Sequence, residues 1–351
     1  MIEPIDIEDM KTAIKQHYPK ATLNPPLLEK MFYALRLAEL LQTNGLDFTF
    51  KGGTSLILLL AYPQRFSIDI DIITEATKED IETILATICQ EKQVFFGYEL
   101  QEDRSYKGTI PKAHYKLNFA AQETGQNDNH ILLDILFDAN PYPQTLQIPI
   151  DKEWLKTSNP IKKVNVPSIE SIVGDKLTAF APNTTGIEYG KGKQTEIIKQ
   201  MFDIGQLFDE IKNFEIVIQS FEKIAAKEIE YRPKLKEKTS LDVAQDIFQT
   251  CLQVIKQDNI ELTQGIKTFK NWTFLSFHRD DAFLCATKIA YIAAKIIKND
   301  TTPLEKPTAQ KIDKKEFLIE ETTYNFLNKP LKGIPNNSLF YAYKAIKTLT
   351  S

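Results

Sequence analysis

The chain has 351 residues, 42% of them hydrophobic and 26% charged, with a formal net charge of −4. This is the composition of a folded globular protein with apolar content for one large domain or two ordinary ones. It excludes a globally basic nucleic-acid binder, so any RNA contact must use local patches; the three dispersed cysteines, Cys89, Cys251 and Cys285, make neither a disulfide framework nor a C-x-x-C zinc site.

The opening Met-Ile-Glu-Pro-Ile-Asp-Ile-Glu-Asp is acidic and lacks the basic start of a signal peptide. The longest apolar run, Leu56–Ala61, is too short to span a bilayer. A soluble, cytoplasmic protein without a membrane partner is expected. Ile7–Tyr18 reads as a short helix. After Pro25-Pro26, Leu27–Gln42 reads as an amphipathic helix with Leu28, Met31, Leu35, Ala38 and Leu41 on one face, ended at Gly45.

Asp47–Lys51 reads as a strand that breaks at Gly52-Gly53 and opens a helix from Thr54 to Tyr62, which Pro63 ends. A double glycine at a helix start lets backbone N–H groups approach an anion, and the helix dipole adds to the attraction. Phe66–Ile72 reads as the next strand. Its period-two alternation sets Ser67, Asp69 and Asp71 on one face and Phe66, Ile68, Ile70 and Ile72 on the other. Two like charges so close repel unless something binds them. As hard oxygen ligands they suit Mg²⁺, and Mn²⁺ would serve as well. Strand, Gly-Gly turn, helix and acidic strand together form the equipment of a nucleotidyltransferase, with an NTP as substrate.

Gly52-Gly53, a spacer and then Asp69-Ile-Asp71 resemble the first motif of the DNA polymerase β-like nucleotidyltransferase superfamily. The fuller string, Lys51-Gly-Gly-Thr-Ser-Leu with Arg65-Phe-Ser-Ile-Asp-Ile-Asp, resembles the AbiEii/AbiGii toxin family, the toxin half of a bacterial type IV toxin–antitoxin pair. That resemblance implies nucleotide contacts from Gly52, Gly53, Thr54, Ser55, Arg65 and Ser67. It also implies an RNA acceptor, tRNA above all, and a cognate antitoxin as partner. Arg65 can pair with a phosphate or simply neutralise the aspartates.

Farther along, Lys78–Glu91 reads as a helix, and Val94–Leu100, His114–Ala120 and His130–Phe137 read as strands. In the last of these Asp134 shares a face with Leu132 and Leu136, an expensive place for a carboxylate unless it is paired or bound to metal. It is the candidate third metal ligand beside Asp69 and Asp71; the alternative is a strand-end acid bonded to a loop. Tyr106, Lys107, Lys112, His114, Tyr115 and Lys116 offer an acceptor or base-stacking surface, or only a solvated hairpin.

Strand-like alternation fades near Val164–Ser168, giving an α/β unit over 1–165 and a helical one over 166–351. The fold class expected is α+β, a nucleotidyltransferase-like mixed sheet with flanking helices followed by a mostly helical C-terminal part. There Lys176 falls inside the apolar stripe Ile169, Ile172, Val173, Leu177 and Phe180. It either reaches a triphosphate, or snorkels to solvent or a neighbouring acid. The resemblance places a lysine in the context Asp175-Lys-Leu-Thr-Ala179 in the active site. It also points to Asp203, although Gln200 stands where the family commonly has an acid, and Lys199–Asp203 could be a surface ion pair. The Asn183–Lys193 segment lacks Walker A spacing and reads as a loop, and His278 lacks a second histidine at ligand spacing. Rival readings are nucleotide transfer to a protein or small molecule, and a degenerate transferase kept as a binding scaffold.

Overall fold

The computed structural model describes every residue except 92–93, 104, 106–109, 123–128, 309–312 and 321–322. The chain forms two compact units. One holds Met1–Asn140, Gln144–Ser168 and Trp272–Leu275; the other holds Pro141–Pro143, Ile169–Asn271 and Ser276–Ser351.

The first unit runs α1 (Ile7–His17), α2 (Pro25–Thr43), β1 (Thr49–Lys51), α3 (Gly52–Leu59), β2 (Ile70–Thr74), α4 (Lys78–Gln90), β3 (Phe95–Leu100), β4 (Lys112–Phe119), β5 (Asn129–Phe137), β6 (Thr145–Pro149) and β7 (Lys163–Pro167). The strands make one mixed sheet in the order β3-β4-β5-β2-β1-β7-β6. β2 lies parallel to β5 and β1 parallel to β7, and the remaining pairs are antiparallel.

Two neighbouring rows across the sheet explain its chemistry. Phe50, Ile72, Ile135 and Ala113 are in register on β1, β2, β5 and β4, and all are buried. One residue along, on the opposite face, the row reads Lys51, Asp71, Asp134 and His114. Period-two alternation keeps the two rows apart. The apolar face, which also includes Tyr115, Leu117, Phe119, Ile131 and Leu133, belongs to a continuous core with α2 and α4. Tyr33 of α2 stacks on Phe119 with ring centroids 4.1 Å apart. Asn24 caps α2 and Pro25-Pro26 occupy its first turn, where the missing N–H groups cost nothing.

Several boundaries differ from the sequence reading. The helix after the double glycine begins at Gly52 and ends at Leu59, ahead of Tyr62. β2 begins at Ile70 and not at Phe66. Residues 66–69 are irregular because their partner comes from far along the chain: Phe66 N–H donates to the Trp272 carbonyl at 2.8 Å, and Arg65 bridges Thr273. β6 and β7 fall where the sequence pattern marks no strand. Both are short and end at prolines, β6 on the sheet edge, so neither carries a long alternating run.

The second unit contains α5 (Ile169–Ala179), α6 (Gln194–Leu207), α7 (Phe214–Glu230), α8 (Ser240–Lys256), α9 (Ile260–Phe269), α10 (Arg279–Ile297), α11 (Asn328–Lys332) and α12 (Ser338–Thr350). α5 packs on α7, and α10 packs on α6, α8 and α12. With a mixed sheet in one unit and helices in the other, the fold class is α+β.

Candidate active site

The double glycine is dictated by side chains that press on it. Gly52 has φ +75°, and a Cβ there would lie 2.0 Å from Asp71 Oδ2. A Cβ on Gly53 would lie 2.4 Å from Arg65 Nη2 and 2.7 Å from Ser67 Oγ. All three distances are impossible for a real side chain, so the two glycines let Asp71, Arg65 and Ser67 close over the N-terminus of α3. The hydroxyls that follow tie the turn together. Thr54 Oγ1 donates to the Asp69 carbonyl and lies within hydrogen-bond distance of Ser67 Oγ at 2.9 Å, while Ser55 Oγ donates to the Gly52 carbonyl at 2.9 Å. Thr54 and Ser55 are fully buried, and Arg65 is nearly so, donating from Nη1 to the Phe66 carbonyl at 2.7 Å.

Asp69 and Asp71 are both half-buried, beside this turn. The β2–β5 register sets Asp134 next to Asp71. Asp134 in turn accepts from Nδ1 of His114, its cross-strand partner on β4, at 2.5 Å. Lys30 of α2 is a site neighbour that sequence reasoning missed: burial pushes its ammonium below the ordinary lysine range, and the Asp69 carboxylate pulls it back up. A signal was present, since Lys30 and Arg36 are the only basic residues of α2. Tyr115 cannot stack on a base, because its ring is fully buried and its hydroxyl donates to Glu82 at 3.2 Å. Alternation turns it into the core while Lys112, His114 and Lys116 take the polar face. Tyr106 and Lys107 lie outside the described residues.

In the second unit Lys176 and Asp203 form an ion pair at 2.7 Å, with side chains 5% and 3% exposed. Gln200 Oε1 accepts from the same ammonium at 3.3 Å. Asp203 is therefore buried, where periodicity along α6 sets it off the inner stripe. The reason is that α6 is buried on nearly all sides, from Ile197 through Leu207. Lys199 pairs with Glu196 at 2.9 Å. Tyr142 donates to Asp175, the residue before the lysine, at 2.6 Å. His278 stands at the N-cap of α10, where its backbone N–H donates to Asp281 Oδ2 at 2.8 Å.

The family model described as the nucleotidyl transferase AbiEii toxin of a type IV toxin–antitoxin system matches residues 36–270, well over half of the chain. The chain belongs to this family. It is a nucleotidyltransferase of the AbiEii toxin type, and an NTP is its substrate. Among curated proteins, none matches the sequence. Among solved structures, MenT4, a nucleotidyltransferase toxin from Mycobacterium tuberculosis, is similar at 10% identity and a TM-score of 0.48, over 85% of this chain and 94% of that one. An antigenic nucleotidyltransferase-like protein from Paracoccidioides brasiliensis is similar at 17% identity and a TM-score of 0.37, over 60% and 91% of the respective chains. The STING-associated CdnE c-di-GMP synthase from Capnocytophaga granulosa follows at 13% identity and a TM-score of 0.22, over 84% and 93%.

An AbiEii-type transferase generally works with a divalent metal, and the residues here fit one. Among the described residues no group of three or more histidines, cysteines or acids is placed to hold a metal ion by itself. Mg²⁺ does not need such a group, being held by one or two carboxylates together with substrate phosphates. The all-oxygen pair Asp69 and Asp71, beside the N–H groups that open α3, meets that requirement.

Proposed function

We propose that this AbiEii-family chain moves a nucleoside monophosphate from an NTP to a hydroxyl of RNA, with tRNA as acceptor, and that a cognate antitoxin restrains it. The observation that carries the reading is the side-by-side placement of Asp71 and Asp134 on the polar sheet face, with Asp71 seated on Gly52. Carboxylates for a divalent cation thus adjoin backbone N–H groups suited to a phosphate. Asp69, Asp71 and Asp134 would hold Mg²⁺, or Mn²⁺ in its place. Bound there, the cation would offset charge on the triphosphate and lower the pKa of the acceptor hydroxyl.

The hydroxyl oxygen attacks the α-phosphorus in line and pyrophosphate leaves. Backbone N–H groups of Gly52, Gly53, Thr54 and Ser55 orient the triphosphate, while Arg65 and Ser67 brace the turn or meet phosphate directly. Lys176 and Asp203 are the remaining proposed catalytic positions. No helix among the described residues is long and apolar enough to cross a membrane, which is compatible with work on cytoplasmic RNA.

The test is incubation with each α-labelled NTP and either total tRNA or total cell protein, with and without EDTA. Metal-dependent label in tRNA is the expected result. Label in protein would instead support the second acceptor class, consistent with the net charge of −4. No label in either, together with no metal-dependent NTP binding by calorimetry, would leave a scaffold.

A further inference from the structure

We propose that His114 is a positioning residue of the transfer reaction, holding the Asp134 carboxylate in the orientation the site requires. This rests on the assignment of Asp134 to the reacting site. The geometry is specific. The imidazole Nδ1–H donates to Asp134 Oδ1 at 2.5 Å, across a direct cross-strand pair. Such a short contact to a carboxylate is the strong, charge-assisted kind of hydrogen bond. On its other side Asp134 is in register with Asp71. The histidine therefore sits behind the acid, one strand farther from Asp71 and the Gly-Gly turn.

Exposure follows the same order. The Asp134 side chain is 28% exposed and that of His114 only 9%. The histidine is itself fixed. Its strand runs between β3 and β5, and its chain neighbours Ala113 and Tyr115 are fully buried in the core. Its N–H donates to Ser105 Oγ at 2.8 Å, and its carbonyl accepts from Gln101 N–H at 2.8 Å. A carboxylate on a strand can turn about its own side-chain bonds, and a hydrogen bond from a fixed donor limits that turning. His114 is such a donor on the next strand, which is how an outer residue sets the aim of a ligand that touches metal or substrate.

The experiment compares wild type with His114→Ala, His114→Asn and His114→Gln, and with Asp69→Ala as control. Asn places an amide N–H where Nδ1 sits, whereas Gln places it near the position of Nε2. The readouts are kcat and KM for label transfer from NTP to total tRNA, Mn²⁺ titration by calorimetry, and thermal melting. For His114→Ala the expected result is a fall in kcat and a weakening of Mn²⁺ binding, each roughly 10- to 100-fold, with KM for the nucleotide unchanged. His114→Asn should recover most of both losses, and His114→Gln should not.

Wild-type Mn²⁺ affinity in His114→Ala would overturn the proposal, as would equal losses in the Ala and Asn variants that track a fall in melting temperature. The calorimetric arm decides the matter even where the RNA supplied is a poor acceptor. The Asp69→Ala control separates two failures. If that variant still transfers label, the site assignment itself is wrong. If it is inactive and His114→Ala is not impaired, only the role of His114 falls.

Discussion

Each unit of this protein contains a short line of charged residues where apolar side chains would be expected, and the two lines are built differently. On the sheet of the first unit, Lys51, Asp71, Asp134 and His114 occupy one transverse row on the polar face, and Asp134 keeps 28% of its side chain in solvent. In the second unit Lys176 and Asp203 are sealed at 5% and 3% exposure and neutralise each other at 2.7 Å. A half-open row of acids on a rigid sheet can accept a cation and a substrate without reorganising. A sealed pair has already satisfied both charges, so its role has to be separated from its contribution to stability. Burial of charge alone therefore does not separate a catalytic role from an architectural one in this molecule.

The largest effect should come from the row and its neighbour. Asp69→Ala or Asp71→Ala should lower label transfer roughly a thousandfold or more, since each removes a carboxylate proposed to hold the metal. Both side chains are half-buried and outside the core, so the folded state should survive, with circular dichroism melts close to wild type. Substantial activity in either variant would break the contrast at its first term.

The second term is sharpened by a double-mutant cycle. Lys176→Met alone leaves a buried carboxylate and Asp203→Leu alone a buried ammonium, and each should cost about 3–5 kcal/mol in denaturant unfolding. The combined variant should recover most of that stability. If it also recovers transfer, the pair is architectural. If it is stable and inactive, Lys176 and Asp203 act in catalysis as proposed, and the sealed pair is more than packing.

Much of the polar row could be read from the chain. The string from Lys51 to Asp71 and the alternation around Asp134 name three of its members, because both depend on residues close together in the sequence. What stayed hidden depends on distant partners. The irregular stretch 66–69 is held by Trp272–Phe274, some two hundred residues later in the chain, so its strand-like alternation misleads. α2 looks amphipathic in sequence, yet Glu29 and Glu39 are buried in it. Glu29 accepts from the Gln122 N–H at 2.7 Å, and Glu39 pairs with Arg36 and accepts from the Ile2 N–H at 2.8 Å. Asp203 failed the test of periodicity for a related reason, since a helix enclosed on nearly all sides has no outer face. The pairing of His114 with Asp134 required the strand register, which no local pattern supplies. The double glycine was legible as a motif, but its steric reason was not, because Asp71, Arg65 and Ser67 reach it only through the fold.

That steric reason gives a smaller effect. Gly52→Ala meets two obstacles, a left-handed φ of +75° and a Cβ 2.0 Å from Asp71 Oδ2. The conformational term alone costs roughly 1–2 kcal/mol, and the contact must displace the Asp71 carboxylate. Stability should fall by at least that amount, and transfer should fall further than the melt alone explains. A variant that loses stability with an unchanged rate would show that the position of Asp71 does not matter to chemistry, and would weaken the case for the open row.

The last test concerns the sealed interior of the second unit and turns on pH. Burial pushes the Cys285 thiol up to about 12 and holds the Cys251 thiol well above its ordinary range, and it raises the Tyr341 phenol in the same direction. An unfolded thiol ionises near about 8.5. Between that value and the folded one, the unfolded chain has given up protons that the folded chain retains, so stability must fall as pH rises. The contribution is fully present below the unfolded pKa and is lost as pH climbs through the folded one. Each such group adds a slope of up to about 1.4 kcal/mol per pH unit. Cys285→Ala should reduce the alkaline slope of denaturant-unfolding free energy by up to that amount. At neutral pH it should cost little, because Cys285 packs against Gly205, where a Cβ would meet its Sγ at 2.4 Å, and the contact leaves only a small void when trimmed. An unchanged slope would mean that Cys285 is reached by solvent before the unit unfolds, and the second unit would then be less sealed than its ion pair implies.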